Sequence, residues 1–227
     1  DCAILINPPQ QFCISCDQLI AGVHFDVHAS TRQIAEKLIG RSLSDLAAAG
    51  ASPYSCTLTC AFPEDYSNEQ SFELCNELIS AAAQYQLAII GGDCSSAKQL
   101  VLSCTVMGRA NGKVPGRNSA KVGGQIYVSR ALGGAVHSGR HLSPTPELAL
   151  GKLLVEKCNP QAMIDLSDGL DNDLHSILRA SNIGARVDVD LLPLNTGCDW
   201  QQAVSEGEDY GLLIVLDEAV ALTIDDV

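Results

Sequence analysis

The segment Met163-Ile-Asp-Leu-Ser-Asp-Gly-Leu170 shows most directly how this chain folds. Its apolar start is typical of a buried strand, and Asp165 stands where that strand ends. Ser167, Asp168 and Gly169 then precede a run with helical spacing, so the segment predicts a strand that passes directly into a helix. Ser167 or Asp168 can serve as the N-cap of that helix. A helix N-terminus also attracts anions, and two carboxylates beside it can hold a metal ion against a phosphate.

Other aspartates stand in similar places. Asp17 and Asp93 each follow an apolar run that predicts a strand ending before them, Asp1 opens the chain before another such run, and Asp45 lies in Leu43-Ser-Asp-Leu-Ala47. Carboxylates that point into one cleft repel each other unless cations neutralise them, and oxygen ligands of this type suit Mg²⁺ and the phosphates it carries. Aspartate also favours turns in general. The whole set favours a Mg-nucleotide site.

Composition limits the function classes. A chain of 227 residues can form one large domain or two small ones. The 27 acidic residues exceed the 14 basic ones, giving a net charge of −13, which argues against a nucleic-acid-binding surface and against anionic membranes. No apolar run approaches the roughly 20 residues of a membrane span.

The ten cysteines predict a reducing, cytoplasmic location. Cys13 and Cys16 have CxxC spacing, but positions i and i+3 of a strand face opposite ways, so these two thiols should not converge. Cys56, Cys60 and Cys104 lie in apolar runs. Buried, reduced thiols are therefore favoured over a zinc site or a disulfide framework.

The first half of the chain has the pattern ββαβαββ, which is typical of an α+β fold. Thr31 is the predicted N-cap of the first helix and Gly50 its stop, and Ser67 is the predicted N-cap of the second. The predicted strands cover 2–6, 12–16, 54–61, 87–92 and 100–107, the predicted helices cover 31–48 and 67–85, and the second helix should bury Phe72, Cys75, Leu78, Ile79 and Ala82.

The second half begins after a stretch, 108–124, that is rich in glycine and basic residues and is typical of a linker or a functional loop. We expect an N-terminal ATP- and metal-binding domain over 1–111 and a C-terminal α/β domain over 112–227 that is incomplete at its end. Predicted strands in the second domain are 125–129, 161–165, 185–190 and 211–216, and predicted helices are 146–157 and 170–181.

Four further motifs, each taken alone, fit a functional or a purely structural role. Gly91-Gly-Asp93 would let a phosphate approach the backbone, although a plain turn is equally common. His24 and Arg117 could be ligand contacts or surface residues, and the acidic turn 206–210 could be a solvated loop. The chain has neither a Walker A motif nor a GxGxxG motif, so a nucleotide would be held in another way.

Taken in order, seven motifs resemble those of the thiamine-monophosphate kinase family, which belongs to the aminoimidazole ribonucleotide synthetase-like superfamily. The resemblance covers nearly all of the chain, and its specificity lies in the order of the motifs. They are Asp1-Cys-Ala3, Asp17-Gln-Leu-Ile-Ala-Gly-Val-His-Phe25, Ser42-Leu-Ser-Asp-Leu-Ala-Ala-Ala-Gly50, Gly91-Gly-Asp-Cys94, Arg117-Asn-Ser-Ala120, Ile164-Asp-Leu-Ser-Asp-Gly-Leu170 and Glu206-Gly-Glu-Asp-Tyr-Gly-Leu212.

The resemblance implies a two-domain α/β fold of α+β type, with N-terminal domains that pair in a homodimer. It implies transfer of a phosphoryl group from ATP to thiamine monophosphate, with Mg²⁺ ions on the ATP phosphates and direct in-line attack by the substrate phosphate. Among the aspartates, Asp45, Asp93 and Asp168 would be catalytic. ATP would contact Gly92, Asp93, Arg117 and Ser167, and the thiamine substrate would contact His24 and Glu208. The metal ligands would be Asp1, Ser15, Cys16, Asp17, Asp45, Asp93, Asp165 and Asp168. Cys16 would act through its backbone carbonyl, because a thiol is a poor ligand for Mg²⁺.

The chain departs from the family pattern at several places, which leaves alternatives open. Gln18, Ser42, Ala49 and Cys94 replace Thr, Asn, Met and Thr, while Glu206 and Gly211 replace Gly and Glu beside the substrate turn. Family members also carry further residues near Gly139 and at both ends. The alternatives are another ATP-dependent enzyme of the superfamily, such as an aminoimidazole ribonucleotide synthetase or a selenophosphate synthetase, and a non-catalytic binding protein on the same fold.

Overall fold

A computed structural model of the protein describes residues 3–7, 10–26, 28–217 and 220, and for residues 3–7 and 10 it describes the backbone alone. The first half forms a five-stranded sheet in the order β1-β2-β5-β3-β4, antiparallel except for the β3–β4 pair. Two helices cover one face of it, which confirms the predicted ββαβαββ order. The strands are β1 Ala3–Asn7, β2 Gln10–Ile20, β3 Ala51–Pro63, β4 Ala88–Ala97 and β5 Val101–Ala110, and the helices are α1 Thr31–Ala48 and α2 Asn68–Gln84.

The second half forms a three-stranded antiparallel sheet in the order β6-β8-β7, flanked by three further helices. The predicted strand over 185–190 is wrong. Val187 and Val189 alternate as in a strand, but they remain 40% and 39% exposed and pair with no strand of the described residues. The elements are β6 Gln125–Val128, α3 Leu148–Lys157, β7 Ala162–Asp165, α4 Leu170–Ser181, α5 Trp200–Ser205 and β8 Leu212–Leu216, with short 3₁₀ turns at Arg140–Leu142 and Val189–Leu191.

Helix α1 lies between the two sheets and contacts β2, β3 and β5 on one side and β7 on the other. Its N-cap is Ser30, not Thr31 as predicted, because the Ser30 hydroxyl accepts from the Gln33 backbone N–H and the Gln33 side chain reciprocates. Helix α3 crosses α1 closely at Gly151, where a Cβ would lie 2.0 Å from the Ala47 carbonyl oxygen. This central position lets α1 bring side chains to both sheets.

Helix α2 begins after Ser67, as predicted, but its buried stripe differs from the prediction. The buried residues are Leu74, Leu78, Ala81 and Ala82, whereas Phe72 and Ile79 are 71% and 56% exposed. Helical spacing identifies several possible stripes, and only packing against α1 selects one of them.

Two of the predicted strand ends are wrong. Asp17 lies inside β2 and Asp93 inside β4, because β2 keeps pairing with β5 up to Ile20 and β4 keeps pairing with β3 up to Ala97. A polar residue does not end a strand while the backbone ladder continues. Asp165 does end β7, as predicted.

The cysteines behave as predicted. Cys13 is buried and Cys16 exposed, so the CxxC pair points to opposite faces of β2, and Cys56, Cys60 and Cys104 are buried free thiols. No helix within the described residues has the length and hydrophobicity needed to cross a membrane.

Candidate functional site

Helix α1 carries a charged stripe that the sequence analysis missed. Lys37, Arg41 and Asp45 are spaced by four residues and therefore share one face of the helix. Lys37 is fully buried. The sequence does contain a signal for this stripe: charged residues recur at i, i+4 and i+8 in a helix whose neighbouring positions, such as Ile34 and Leu38, are apolar.

Carboxylates from three elements gather at the Asp45 end of this stripe. Asp17 comes from β2, Asp45 from α1 and the buried Asp165 from the end of β7. Burial and the charges of Asp165 and Asp17 raise the pKa of Asp45 to about 7, even though Asp45 accepts a hydrogen bond from Ser15. Burial, followed by the charge of Asp17, raises the pKa of Asp165 to about 6. We call Asp17, Asp45, Asp165 and the nearby Asp168 the carboxylate cluster.

The cluster has the donor chemistry of a Mg²⁺ site. Asp17 Oδ1 accepts from Arg41 Nε at 2.8 Å, whereas Asp17 Oδ2 is buried and has no hydrogen-bond partner. Unpaired, buried carboxylate oxygen is what a hard cation would neutralise. In the part of the chain that the structure describes, no three His, Cys, Asp or Glu side chains stand in metal-binding geometry, so waters and phosphate oxygens would supply the remaining ligands of an ion held here.

The loop before α4 is held by a residue that the sequence analysis also missed. Asp173, in the first turn of α4 and only 3% exposed, accepts from the Asp168 backbone N–H at 3.1 Å. Burial raises the pKa of Asp173 to about 7. The N-cap position is Gly169 with φ +94°, so neither Ser167 nor Asp168 caps the helix as predicted, and the exposed Asp168 side chain is left available for a ligand.

The acidic turn 206–211 runs beside this loop. The Glu208 N–H donates to the Ser167 carbonyl at 2.8 Å, and the Tyr210 N–H donates to the Leu166 carbonyl at 2.7 Å. Glu208 and Tyr210 have φ values of +68° and +52°, which non-glycine residues adopt only where the surroundings impose them. The Glu208 carboxylate pairs with the Lys37 ammonium. Burial lowers the pKa of Lys37, and the hydrogen bond to Glu208 opposes that change.

Two flanking acids anchor the turn. Asp209 is 4% exposed, accepts from Arg140 at 2.5 Å and accepts from the Gly133 N–H at 2.9 Å. Glu206 accepts from the Gly134 N–H at 2.6 Å. These contacts fix the turn, and Glu208 is the acid that they leave facing α1.

His24 lies in the same neighbourhood. Its Nδ1 accepts from the Ile20 N–H at 3.1 Å, which places the proton of a neutral ring on Nε2. Burial and the nearby positive charge of Arg41 lower the pKa of His24, while the charge of Glu208 opposes them. The two predicted substrate residues, His24 and Glu208, are therefore brought together at the Lys37 end of the stripe.

The side chains of Asp93 and Cys16 are not brought to the cluster. Asp93 pairs with Thr59 and Cys16 with Thr105, and these positions face the side of the first sheet that no helix covers. Asp17 points to the opposite, helix-covered face. Alternation along the strand separates Cys16 from Asp17 although they are adjacent in sequence.

The other predicted contacts are spread more widely. The Arg117 carbonyl accepts from Ser181 at 2.8 Å, so Arg117 lies at the far end of α4 from Ser167. Gly92 packs against β3, where a Cβ would lie 2.1 Å from the Leu58 carbonyl oxygen. Asp1 lies outside the described residues.

Two cavities border α4. One of about 560 Å³ adjoins the cluster at Asp168 and follows the exposed face of α4 as far as Arg179. The other, of about 670 Å³, lies between α4 and β6 and has no cluster residue in its lining. The first cavity offers space for a ligand that meets the cluster at Asp168.

Comparison with known proteins identifies relatives along the whole chain. The family model "AIR synthase related protein, N-terminal domain" matches residues 1–110. The thiamine-monophosphate kinase of Rhodopirellula baltica is 35% identical over 220 residues, which is 91% of this chain and 69% of the relative. The crystal structure of thiamine-monophosphate kinase from Stenotrophomonas maltophilia has a TM-score of 0.86 and 31% identity, covering 98% of this chain and 83% of that one. A structure of AaThiL complexed with AMPPCP and TMP has a TM-score of 0.89 at 23% identity, covering 96% and 79%, and shows likeness of fold.

Proposed function

The chain belongs to the thiamine-monophosphate kinase family, and we propose that it transfers the terminal phosphoryl group of ATP to thiamine monophosphate, giving thiamine diphosphate. The relatives that carry this name match at 30–36% identity over most of the chain. AaThiL, which shares the fold, is described with AMPPCP and TMP bound. The enzyme is therefore a phosphotransferase that uses a phosphate group as acceptor.

The observation that carries the catalytic proposal is that Asp17 lies close enough to Asp45 and Asp165 to raise the pKa of both, and that Asp17 Oδ2 is buried without a hydrogen-bond partner. Two phosphates must approach each other in this reaction, and their charges repel. Mg²⁺ held by the carboxylate cluster would neutralise the ATP phosphates and the carboxylates together. Ser15, which donates to Asp45, orients that carboxylate for the role.

Arg41 and Lys37 on α1 add positive charge that also offsets the charge of the phosphates. Arg41 lies against Asp17 and Lys37 lies against Glu208, so two fixed positive charges stand between the cluster and the turn 206–211. They favour an anionic phosphate at this place. We propose that the acceptor phosphate attacks in line, with no protein base, because positioning and charge neutralisation supply the catalysis.

His24 and Glu208 are proposed to contact the thiamine part of the substrate. Glu208 keeps 22% of its side chain exposed although it is paired with Lys37, so one edge of the carboxylate can meet a ligand. The thiazolium ring of thiamine is a cation, which a carboxylate attracts. The left-handed backbone conformation of Glu208, with φ +68°, holds its side chain at that position.

We propose that the protein is a homodimer that pairs through the uncovered face of the first sheet. This face includes Tyr54, 43% exposed, with the Arg109 guanidinium 4.0 Å above its ring. Strand β4 is exposed over nearly its whole length. Asp93 lies on this face, so Asp93 can act at ATP only if the partner subunit completes an ATP site beside it. Sedimentation at micromolar protein concentration tests the pairing, and a monomer mass would contradict it.

The division into domains at residues 111 and 112 and the cytoplasmic location are also proposals. Two separate sheets and a family match that ends at residue 110 support the division. Free thiols throughout the described residues support a reducing compartment. The roles of Gly92, Arg117 and Ser167 at ATP stay predictions from the motif order.

One assay tests the function. The protein is incubated with ATP, Mg²⁺ and thiamine monophosphate, and thiamine diphosphate is measured by chromatography. We expect product only when all three are present. ATP hydrolysis without thiamine diphosphate would contradict the proposal.

A further inference from the structure

Arg130, the second residue after β6, connects three segments of the chain through its guanidinium group. Its Nη1 donates to the Asp209 carbonyl oxygen and its Nη2 to the Thr145 carbonyl oxygen, each at 3.2 Å. Its Nε and Nη2 also donate to one carboxylate oxygen of Glu147, at 2.9 and 2.6 Å. The seven motifs do not include Arg130, so its role can be read only from these contacts.

The bond from Arg130 to Asp209 holds a peptide group that is also held at its other end. The Asp209 carbonyl and the Tyr210 N–H belong to one planar peptide group, and the Tyr210 N–H donates to the Leu166 carbonyl at 2.7 Å. This group cannot rotate without breaking one of the two bonds. It follows directly after Glu208, whose backbone, with φ +68°, needs support from its surroundings.

Gly211 leaves the space that Arg130 occupies. A Cβ at residue 211 would lie 2.7 Å from Arg130 Cγ and 3.1 Å from Arg130 Cδ. Gly211 is not among the glycines with positive φ, so space and not backbone conformation accounts for glycine here. The four hydrogen bonds of Arg130 keep its stem from moving aside. The departure from the family pattern at Gly211 therefore makes room for Arg130.

We propose that Arg130 is a positioning residue for Glu208: it fixes the turn 206–211 so that the Glu208 carboxylate faces both Lys37 and the substrate. Glu147 in turn orients Arg130, and it is free to do so because its side chain makes no capping bond to α3. Arg130 acts through the turn and needs no contact with a ligand. The inference rests on the proposed contact between Glu208 and thiamine monophosphate.

Amide hydrogen exchange without substrate measures the positioning directly. Arg130→Met keeps the length of the side-chain stem and removes the guanidinium group, so we expect the amides of 206–212 to exchange about tenfold faster as the turn opens more often. Peptides from β3 and β5 should exchange as in the wild type. Arg32→Met is the matched control, because Arg32 is 71% exposed and pairs with Glu36 of its own helix. It should leave 206–212 unchanged.

Steady-state kinetics separates positioning from general damage. Arg130→Met should raise the KM for thiamine monophosphate about tenfold and keep the KM for ATP within about twofold, because Glu208 is proposed to contact the acceptor. Glu147→Gln keeps an acceptor oxygen for Arg130 but removes the charge, so it should raise the same KM by a smaller factor. If Arg130→Met does not fold, Glu147→Gln carries both measurements.

A double substitution tests the space at residue 211. Gly211→Ala should speed exchange in 206–212, because the new Cβ displaces Arg130. In an Arg130→Ala background, which lacks Cγ and Cδ, the same substitution should add less than about a twofold change.

Three results would overturn the proposal. They are unchanged exchange of 206–212 in Arg130→Met, equal rises in the KM for ATP and for thiamine monophosphate, and an equal effect of Gly211→Ala in both backgrounds. If the wild type makes no thiamine diphosphate, the proposed function fails, while hydrogen exchange still decides whether Arg130 positions Glu208.

Discussion

Replacing Lys37 by methionine tests how the charged stripe of α1 holds the turn 206–211. The Lys37 side chain is 0% exposed and Glu208 is 22% exposed. Removing one partner of a buried ion pair costs about 3–5 kcal/mol, because a buried charge is left uncompensated. Since Glu208 retains some contact with water, we expect Lys37→Met to lower the free energy of unfolding by about 2–3 kcal/mol. Methionine has a similar length, so lost packing adds little.

Denaturant unfolding in Mg²⁺-free buffer measures this loss, with a double-mutant cycle to isolate the pair. Lys37→Met combined with Glu208→Gln should recover about 1–2 kcal/mol, because no buried charge then remains unpaired. Lys152→Met is the matched control. Lys152 is 48% exposed and lies 3.8 Å from Glu156, so its removal should cost about 0.5 kcal/mol or less. Equal stability of Lys37→Met and Lys152→Met, or a double mutant no more stable than Lys37→Met, would refute the reasoning.

Two further substitutions separate function from stability. Asp165→Asn should lower turnover by about 100-fold or more. It should also raise the free energy of unfolding in Mg²⁺-free buffer by about 1–3 kcal/mol, because a buried charge facing Asp45 is removed. A variant with wild-type turnover would count against the metal site. Gly151→Ala should destabilise the fold by about 1–3 kcal/mol, because its Cβ would lie 2.0 Å from the Ala47 carbonyl oxygen. Gly184→Ala, which meets nothing within 4 Å, should stay within about 0.5 kcal/mol of wild type, and equal losses in both glycine variants would contradict this explanation.

Helices were the most predictable part of the fold. The predicted bounds 31–48 and 170–181 are those of α1 and α4. Helical periodicity and caps are local properties, so a single sequence contains them. Strands depend on partners, which is why the pattern at 185–190 failed and why β2 and β4 continue past their aspartates.

The sequence predicted most of the residues of the candidate site but not how they are arranged in space. The motifs named Asp17, Asp45 and Asp165, which do gather, but missed Lys37 and Arg41 of the same helix face. A charged residue within an apolar helix has no evident role until the element packed against it is known. For Lys37 that element is the turn carrying Glu208, 171 residues later.

By itself, the sequence determined the kind and order of the elements up to α4, although not the segment from 185 to α5, and, through the order of its motifs, the family. Tertiary structure alone decided which of the aspartates share a cleft. Asp17 and Cys16 are neighbours in the chain, yet β2 turns Asp17 towards α1 and Cys16 towards the uncovered face of the sheet. Asp93 is likewise turned away from Asp165. The direction of a strand side chain depends on strand register, and register is set by pairing between distant segments.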